Sequence, residues 1–176
     1  MTKHELRKHI RLLKQNYPED LFIKDSLEIE QKIISSKRYN DASTILMYSA
    51  LPDEVQTFSL ITDAYLKGKK VLLPAMTDTD MKLMLFKGSS NMKTGRFGIL
   101  EPIGETFTDY KSIELAIIPG IAFDHQNHRM GRGKGSYDRI LPFLTNAYKI
   151  GICFKFQMFD SIPYEPFDFK MDMVMY

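Results

Sequence analysis

Apolar residues near the start of the chain recur at helical spacing. Leu6, Ile10 and Leu13 fall at steps of four and three, which predicts a helix over Lys3–Gln15 with one buried face. Pro18 suits the first turn of a second helix. That helix is expected to run to about Ser36, with Phe22, Ile23, Leu27, Glu30 and Ile34 along it. Residues 41–43 break the pattern. The character then changes to short, continuous apolar runs at 44–48, 71–74, 115–118 and 149–154, with lesser ones at 82–86 and 171–176. Runs of this kind, bounded by Pro, Gly or polar residues, predict strands buried on both faces. Helices are expected between them at 57–66, closed by Gly68, and at 136–144. Residues 52–54 read as a turn and 88–98 as a polar, Gly-bearing loop. Strands alternating with helices imply the α/β class: a three-layer α/β/α arrangement on an open, mostly parallel sheet, Rossmann-like in the broad sense. In such sheets ligands bind beyond the carboxyl ends of the strands.

Length and composition narrow the class without naming a chemistry. At 176 residues the chain suits a single domain over 1–176, and no internal repeat or low-complexity segment is present. Hydrophobic residues make up 44% and charged residues 26%, the balance of a soluble protein with a real core. A net charge of +2 is too small to argue for a nucleic acid or a membrane as partner. No run approaches the roughly 20 apolar residues of a membrane helix. The N-terminus shows no apolar stretch behind a basic start, so no leader is expected. The single cysteine, Cys153, excludes an internal disulfide and fits a reducing, cytoplasmic setting.

The chemistry concentrates in one run, Arg129-Met130-Gly131-Arg132-Gly133-Lys134-Gly135-Ser136-Tyr137-Asp138. Three glycines alternate with two cations. Glycine lets backbone N–H groups turn toward a ligand, and successive N–H groups make a concave anion site. Arg132 and Lys134 add formal charge. The run is not a Walker A loop, since Gly135 separates Lys134 from Ser136 and His128 stands where the first glycine belongs. Even glycine spacing argues against a dinucleotide fingerprint. A helix starting near Ser136 would aim its N-terminus at whatever the loop holds. The run therefore predicts a phosphate site.

Other candidates admit two readings each. Asp138 is either a Mg²⁺ ligand or an acid favoured in the first turn of a helix. Asp168 and Asp172 are either its partners or solvated acids. Lys3 and Arg7 share a helix face, as ligand contacts or as a basic solvated surface. Glu54 is a site carboxylate or a helix N-terminal acid. His4, His9, His125 and His128 do not stand beside Ser or Cys in a nucleophile pattern, and Cys153 sits inside an apolar strand. Covalent catalysis has little support, whereas phosphoryl transfer rests mostly on positioning and charge.

The segment Ile118-Pro119-Gly120-Ile121-Ala122-Phe123-Asp124, followed by the run 129–138, resembles the signature of the 5-formyltetrahydrofolate cyclo-ligases, also called 5,10-methenyltetrahydrofolate synthetases. Lys3-His4-Glu5-Leu6-Arg7, Asp53-Glu54-Val55-Gln56-Thr57, Gly98-Ile99-Leu100-Glu101-Pro102 and Phe167-Asp168-Phe169-Lys170-Met171-Asp172 resemble further landmarks of that family, in order. The resemblance implies ATP- and Mg²⁺-dependent closure of 5-formyltetrahydrofolate to 5,10-methenyltetrahydrofolate. It implies ATP contacts from Lys3, Arg7 and the run Arg129 to Tyr137, and folate contacts from Ser49, Glu54 and the stretch Arg132 to Ser136. It implies Mg²⁺ on Asp138 and Asp168, with Lys134 and Arg132 neutralising the transferring phosphoryl group. Loss of Lys134 or Asp138 is then expected to abolish ring closure and spare the fold. The small-molecule substrates would be the partners of a monomer or weak homo-oligomer. Ser136, Phe167 and Gln56 depart from the family pattern, where an aromatic, a histidine and an acid are common. Rival readings are another ATP-using ligase or kinase on the same scaffold, and a nucleic-acid module using the basic loop.

Overall fold

Helix α1 forms over Lys3–Gln15, as the spacing predicts. Thr2 caps it reciprocally: its hydroxyl accepts from the Glu5 N–H at 3.2 Å, and the Glu5 carboxylate accepts from the Thr2 N–H at 2.7 Å. The computed structural model describes residues 1–77, 80–95 and 98–176. Arg96 and Phe97, inside the stretch expected as a loop, lie outside the described residues.

Helix α2 (Glu19–Ile34) ends slightly earlier than expected, and α3 (Lys37–Asp41) follows at once. The face α2 buries differs in part: Glu30 is buried and Phe22 and Ile34 pack against the core as expected, but two other residues do not. Ile23 and Leu27 are 58% and 51% exposed, while Ser26, Ile29, Glu30 and Ile33 are buried. The polar members of that face are satisfied from across the interface. Ser26 Oγ accepts from the Gln56 N–H at 3.0 Å, and Glu30 accepts from the Ser59 hydroxyl.

The central sheet is assembled from β1 (Thr44–Leu46), β2 (Lys70–Met76), β3 (Met81–Leu85), β6 (Thr106–Phe107), β7 (Leu115–Pro119), β10 (Tyr148–Ile152) and β12 (Met173–Met175). Helix α4 (Phe58–Leu66) connects β1 to β2 and closes at Gly68, where φ is +76°. Among the described residues the strand order is β12-β10-β7-β1-β2-β3-β6. The first five are parallel neighbours, and β3 and β6 add an antiparallel edge. The sheet is therefore mixed but mostly parallel, and the α/β expectation holds. Alternate residues feed two cores. Ile45, Val71, Leu73, Leu115, Ile117 and Ile150 pack with α2, α3 and α4 on one face. Leu46, Leu72, Ala116 and Ile118 pack on the other with Phe123, Ile140, Leu141 and Leu144. Both faces are covered, which is why these strands read as unbroken apolar runs.

Two departures bear on the site. Residues 120–130, expected as loop, hold β8 (Ala122–Asp124) and β9 (Arg129–Met130), paired antiparallel, with β11 (Met158–Phe159) parallel on the other side of β8. The turn between β8 and β9 uses Asn127 at φ +65°, a conformation Asn tolerates. The helix expected over 136–144 is only α5 (Ser136–Ile140), followed by a 3-10 turn over Leu141–Phe143. Pro142 explains this, since it brings no backbone N–H to the Asp138 carbonyl and its ring crowds that turn. Met92–Thr94 (β4), inside the stretch expected as a polar loop, pairs with Leu100–Pro102 (β5), just beyond it, as a small antiparallel ribbon. Among the described residues no helix is long and apolar enough to cross a membrane.

Candidate active site

A cavity of about 410 Å³ opens beyond the carboxyl ends of β1, β2 and β7. Ser49 lies just past β1, Pro74 and Met76 at the end of β2, and Pro119 and Gly120 at the end of β7. This is the position expected of a ligand crevice in a parallel sheet. Its walls are largely apolar, with Tyr48, Leu51, Met81, Ile99 and Tyr137 among them. Burial pushes the Tyr48 and Tyr137 phenols up, and the Glu54 carboxylate adds to both shifts, so each stays protonated. Tyr48 spends its hydroxyl proton on the Val55 carbonyl at 3.0 Å.

The Gly-rich run borders this cavity from one side. It leaves β9 and turns through Gly133 and Gly135, at φ +97° and +65°, before α5 begins. Both values favour glycine. Gly131, Arg132, Lys134, Gly135, Ser136, Tyr137 and Asp138 line the cavity together. With α5 shortened to five residues, the expected phosphate site would rest on loop N–H groups and cations rather than on a helix dipole. Helix α1 crosses over the run: Arg7 Nε donates to the Gly131 carbonyl at 3.0 Å, and a Cβ at Gly133 would meet the Arg7 guanidinium at 3.4 Å.

Arg129 also lines the cavity, yet it is 4% exposed and faces inward. Nη2 donates to Asp138 Oδ1 at 3.0 Å, Nη1 to the Pro119 carbonyl at 3.3 Å, and the guanidinium lies 5.5 Å from the Tyr137 ring centroid. Asp138 is therefore a held carboxylate rather than a solvated one, and removing it would leave a buried cation unpaired. The expectation that Asp138 can be deleted without cost to the fold is corrected on that ground.

Arg132 reaches two neighbouring carboxylates, Glu54 on the cavity wall and Asp53 outside it. Nη2 donates to Glu54 Oε1 at 2.8 Å and Asp53 Oδ1 at 3.2 Å, and Nε donates to Glu54 Oε1 at 3.2 Å. Glu54 Oε2 accepts from the Leu51 N–H at 3.0 Å. The turn at 52–54 is tied further by Gln56, whose amide donates to the Leu51 and Glu54 carbonyls, both at 2.9 Å. Burial works against ionisation of Asp53, yet Lys14 and then Arg132 outweigh it and hold the carboxyl below its usual range.

Other expected residues stand apart from the cavity. Lys3 Nζ is paired with Asp168 Oδ2 at 2.5 Å and Glu165 Oε2 at 2.6 Å, and lies 5.6 Å from the Phe167 ring centroid. Asp168 also accepts from the Glu165 N–H at 2.7 Å. This cluster lies one helical turn from Arg7, and neither Lys3 nor Asp168 lines the cavity. The Met130 side chain is buried with Leu6 and Ile10, its carbonyl accepts from the Ile121 N–H at 2.7 Å, and it does not line the cavity. Asp172 accepts from the Lys149 N–H at 2.7 Å and belongs to the sheet end. Glu101, seen in the sequence only as part of a landmark, is a buried carboxylate on the cavity wall, its Oε1 accepting from the Met76 N–H at 2.9 Å. Its fit explains Gly95, where a Cβ would fall 2.2 Å from the Glu101 carboxyl carbon.

Comparison with known proteins agrees with this fold. The sequence model of the 5-formyltetrahydrofolate cyclo-ligase family matches residues 1–176. A probable 5-formyltetrahydrofolate cyclo-ligase of Schizosaccharomyces pombe is 28% identical, covering 99% of this chain and 95% of its own. The 5-formyltetrahydrofolate cyclo-ligase of Mus musculus is 28% identical over 88% of this chain and 83% of its own. Among solved structures, the 5,10-methenyltetrahydrofolate synthetase of Aquifex aeolicus superposes with a TM-score of 0.87 at 28% identity, covering 99% of this chain and 89% of that one. The enzyme of the same name from Mycoplasma pneumoniae gives 0.80 at 25% identity, over 99% and 98%.

Proposed function

This chain belongs to the 5-formyltetrahydrofolate cyclo-ligase family, and from that premise we propose that it uses ATP and Mg²⁺ to close 5-formyltetrahydrofolate into 5,10-methenyltetrahydrofolate. The observation that carries the reading is a cavity lined by two kinds of group: the glycine turn with Lys134 and Asp138, and the Glu54 carboxylate among apolar residues. The first suits a polyphosphate and the second a flat heterocycle with N–H donors.

The reaction needs the formyl oxygen turned into a leaving group. That oxygen attacks the γ-phosphorus of ATP and ADP departs, leaving a phosphorylated imidate. N10 then bonds to the former formyl carbon and gives up its proton, and phosphate leaves with the oxygen. Lys134 stabilises charge on the transferring phosphoryl group, and the loop N–H groups hold its oxygens. Arg132 lines the same cavity, paired with Glu54. The apolar walls strengthen these charges and keep water from the imidate. Glu54 accepts hydrogen bonds from the pterin, replacing those it now takes from Arg132.

Mg²⁺ usually takes one or two carboxylates and fills its other positions with phosphate oxygens and water. Asp138 fits that role: Arg129 occupies one of its oxygens and lone-pair capacity remains. Among the described residues no group of three or more His, Cys, Asp or Glu is placed to hold a metal, so this chain would offer few ligands of its own. Asp138 would be the ligand from the cavity wall, while Asp168, paired with Lys3 outside the cavity, would have to give up that pairing to be the second carboxylate. The bound ion would supply positive charge to the phosphates.

The direct test mixes the protein with 5-formyltetrahydrofolate, ATP and Mg²⁺ and follows methenyl absorbance. Growth of that signal only with all three present is expected, and a folded protein that produces none overturns the reading. Glu54→Gln should raise the KM for 5-formyltetrahydrofolate on the order of tenfold, the worth of one hydrogen bond to a charged group. Initial rates at varied folate and varied ATP check it. An unchanged folate KM removes Glu54 from the pterin site.

A further inference from the structure

Lys14 is a lysine on the buried face of α1, 8% exposed and four residues after Ile10. A lysine is rarely this buried without a partner. Its Nζ donates to the Asp53 backbone carbonyl at 2.5 Å and to Asp53 Oδ2 at 2.9 Å. The other oxygen of the same carboxylate takes Arg132 Nη2. The sequence Lys14–Asp53–Arg132–Glu54 is thus one chain of ion pairs. It ties α1, the turn after β1 and the Gly-rich run together, beside a second cavity of about 260 Å³ that Lys14, Asp53 and Arg132 border.

We propose that Lys14 and Asp53 are positioning residues that keep Arg132 at the mouth of the active-site cavity when substrate takes Glu54. The inference rests on the function proposed above. Arg132 divides its contacts between two carboxylates, and they are not equivalent. Glu54 lines the substrate cavity, so a ligand there competes for it. Asp53 does not line that cavity; it faces the second one, and Lys14 pins it by backbone and side chain at once. When the pterin claims Glu54, Arg132 retains its hydrogen bond to Asp53 and stays beside the reacting groups. Without Lys14 the Asp53 carboxylate loses its anchor, and the guanidinium is free to leave for solvent.

Three measurements test this on the full-length protein. Lys14→Met should raise the KM for 5-formyltetrahydrofolate about fivefold, with kcat within about twofold, the range expected for coupled neighbours. Lys14→Arg, which keeps the cation, should restore most of it. In an Arg132→Ala background Lys14→Met should change KM no further. The third readout needs no turnover: hydrogen exchange of the Arg132 guanidinium N–H groups, followed by NMR with 5-formyltetrahydrofolate bound and ATP absent, should speed up in Lys14→Met. Lys14→Gln serves all three if the Met variant does not fold. Wild-type turnover judges the proposed activity, whereas the variants judge the positioning role. An unchanged Arg132 exchange rate, or equal Lys14→Met effects with and without Arg132, overturns it.

Discussion

Lys134→Ala should lower turnover of 5-formyltetrahydrofolate by about 10²–10³-fold, the cost of removing one preorganised charge from a transition state, while the melting temperature stays nearly unchanged. Lys134 is exposed and sits between two glycines held at positive φ. Its backbone carbonyl accepts Arg139 Nη1 at 2.9 Å, a bond that an alanine keeps. The turn therefore survives the substitution, and exposed truncations seldom cost much stability. Because the lysine acts on charge that develops during phosphoryl transfer, the loss should appear in kcat and in kcat/KM alike. Steady-state kinetics with both substrates, alongside thermal melts, measures this. A variant within about threefold of wild type in kcat would sink the assignment, since no catalytic charge is worth so little. Asp138 cannot be tested as cleanly by truncation, because Arg129 beneath it would be left buried and unpaired. Asp138→Asn keeps an acceptor for Arg129 and is the better probe.

The legible part of this site was the part carried by residue type. Alternating Gly and cation predict an anion cradle, and the run that carries them lines the cavity at the strand ends. The acidic pair was less visible. Asp53 and Glu54 are side by side in sequence, but nothing local reports that Arg132, 78 residues beyond Glu54, reaches both. Lys14 could have been suspected. It lies at i+4 from Ile10 and i+8 from Leu6, on the apolar stripe, where a lysine needs a partner. Its burial was hidden because neighbouring Lys8, His9 and Arg11 make the helix look basic all round. The role of Arg129 was beyond reach, since burial of an arginine depends on the strand pairing of β8 with β9.

The fold shows the same division. Strands covered on both faces announce themselves, as residues 115–118 do, because every position is apolar. The face of α2 does not, because it buries Ser26 and Glu30 against donors from residues 56 and 59. Helical periodicity counts apolar residues and so selected Ile23 and Leu27, which are exposed. Short strands inside an apparent loop fail for a related reason. A two-residue strand such as β9 has no period to detect, and β8 is only three residues long, centred on the buried Phe123.

That aromatic carries the largest stability effect we expect. Gly151→Ala should destabilise the protein by about 3 kcal/mol, the upper part of the overpacking range, and lower the melting temperature by about 6–12 °C. Gly151 lies in the middle of β10, opposite Ile118 of β7 and Val174 of β12. A Cβ there would fall 2.4 Å from Phe123 Cε1 and 3.1 Å from Met171 Cγ. The ring has nowhere to retreat, because its other edge rests on Gly120, where a Cβ would stand 2.5 Å from Cε2 and Cζ. Phe123 is fully buried, and close-packed interiors pass such strain onward rather than absorb it. Its backbone pairs with Arg129, so a displaced ring also moves the strand that leads into the Gly-rich run. The substitution should therefore reduce turnover as well as stability, although Gly151 does not line the cavity. Phe123→Leu in the same chain should relieve part of the loss, and the two changes should be non-additive because they share one contact. Thermal melts of the two single variants and the double variant decide the point. A Gly151→Ala protein as stable as wild type would show that Phe123 can shift, and that the β8–β9 strands are not held by this packing.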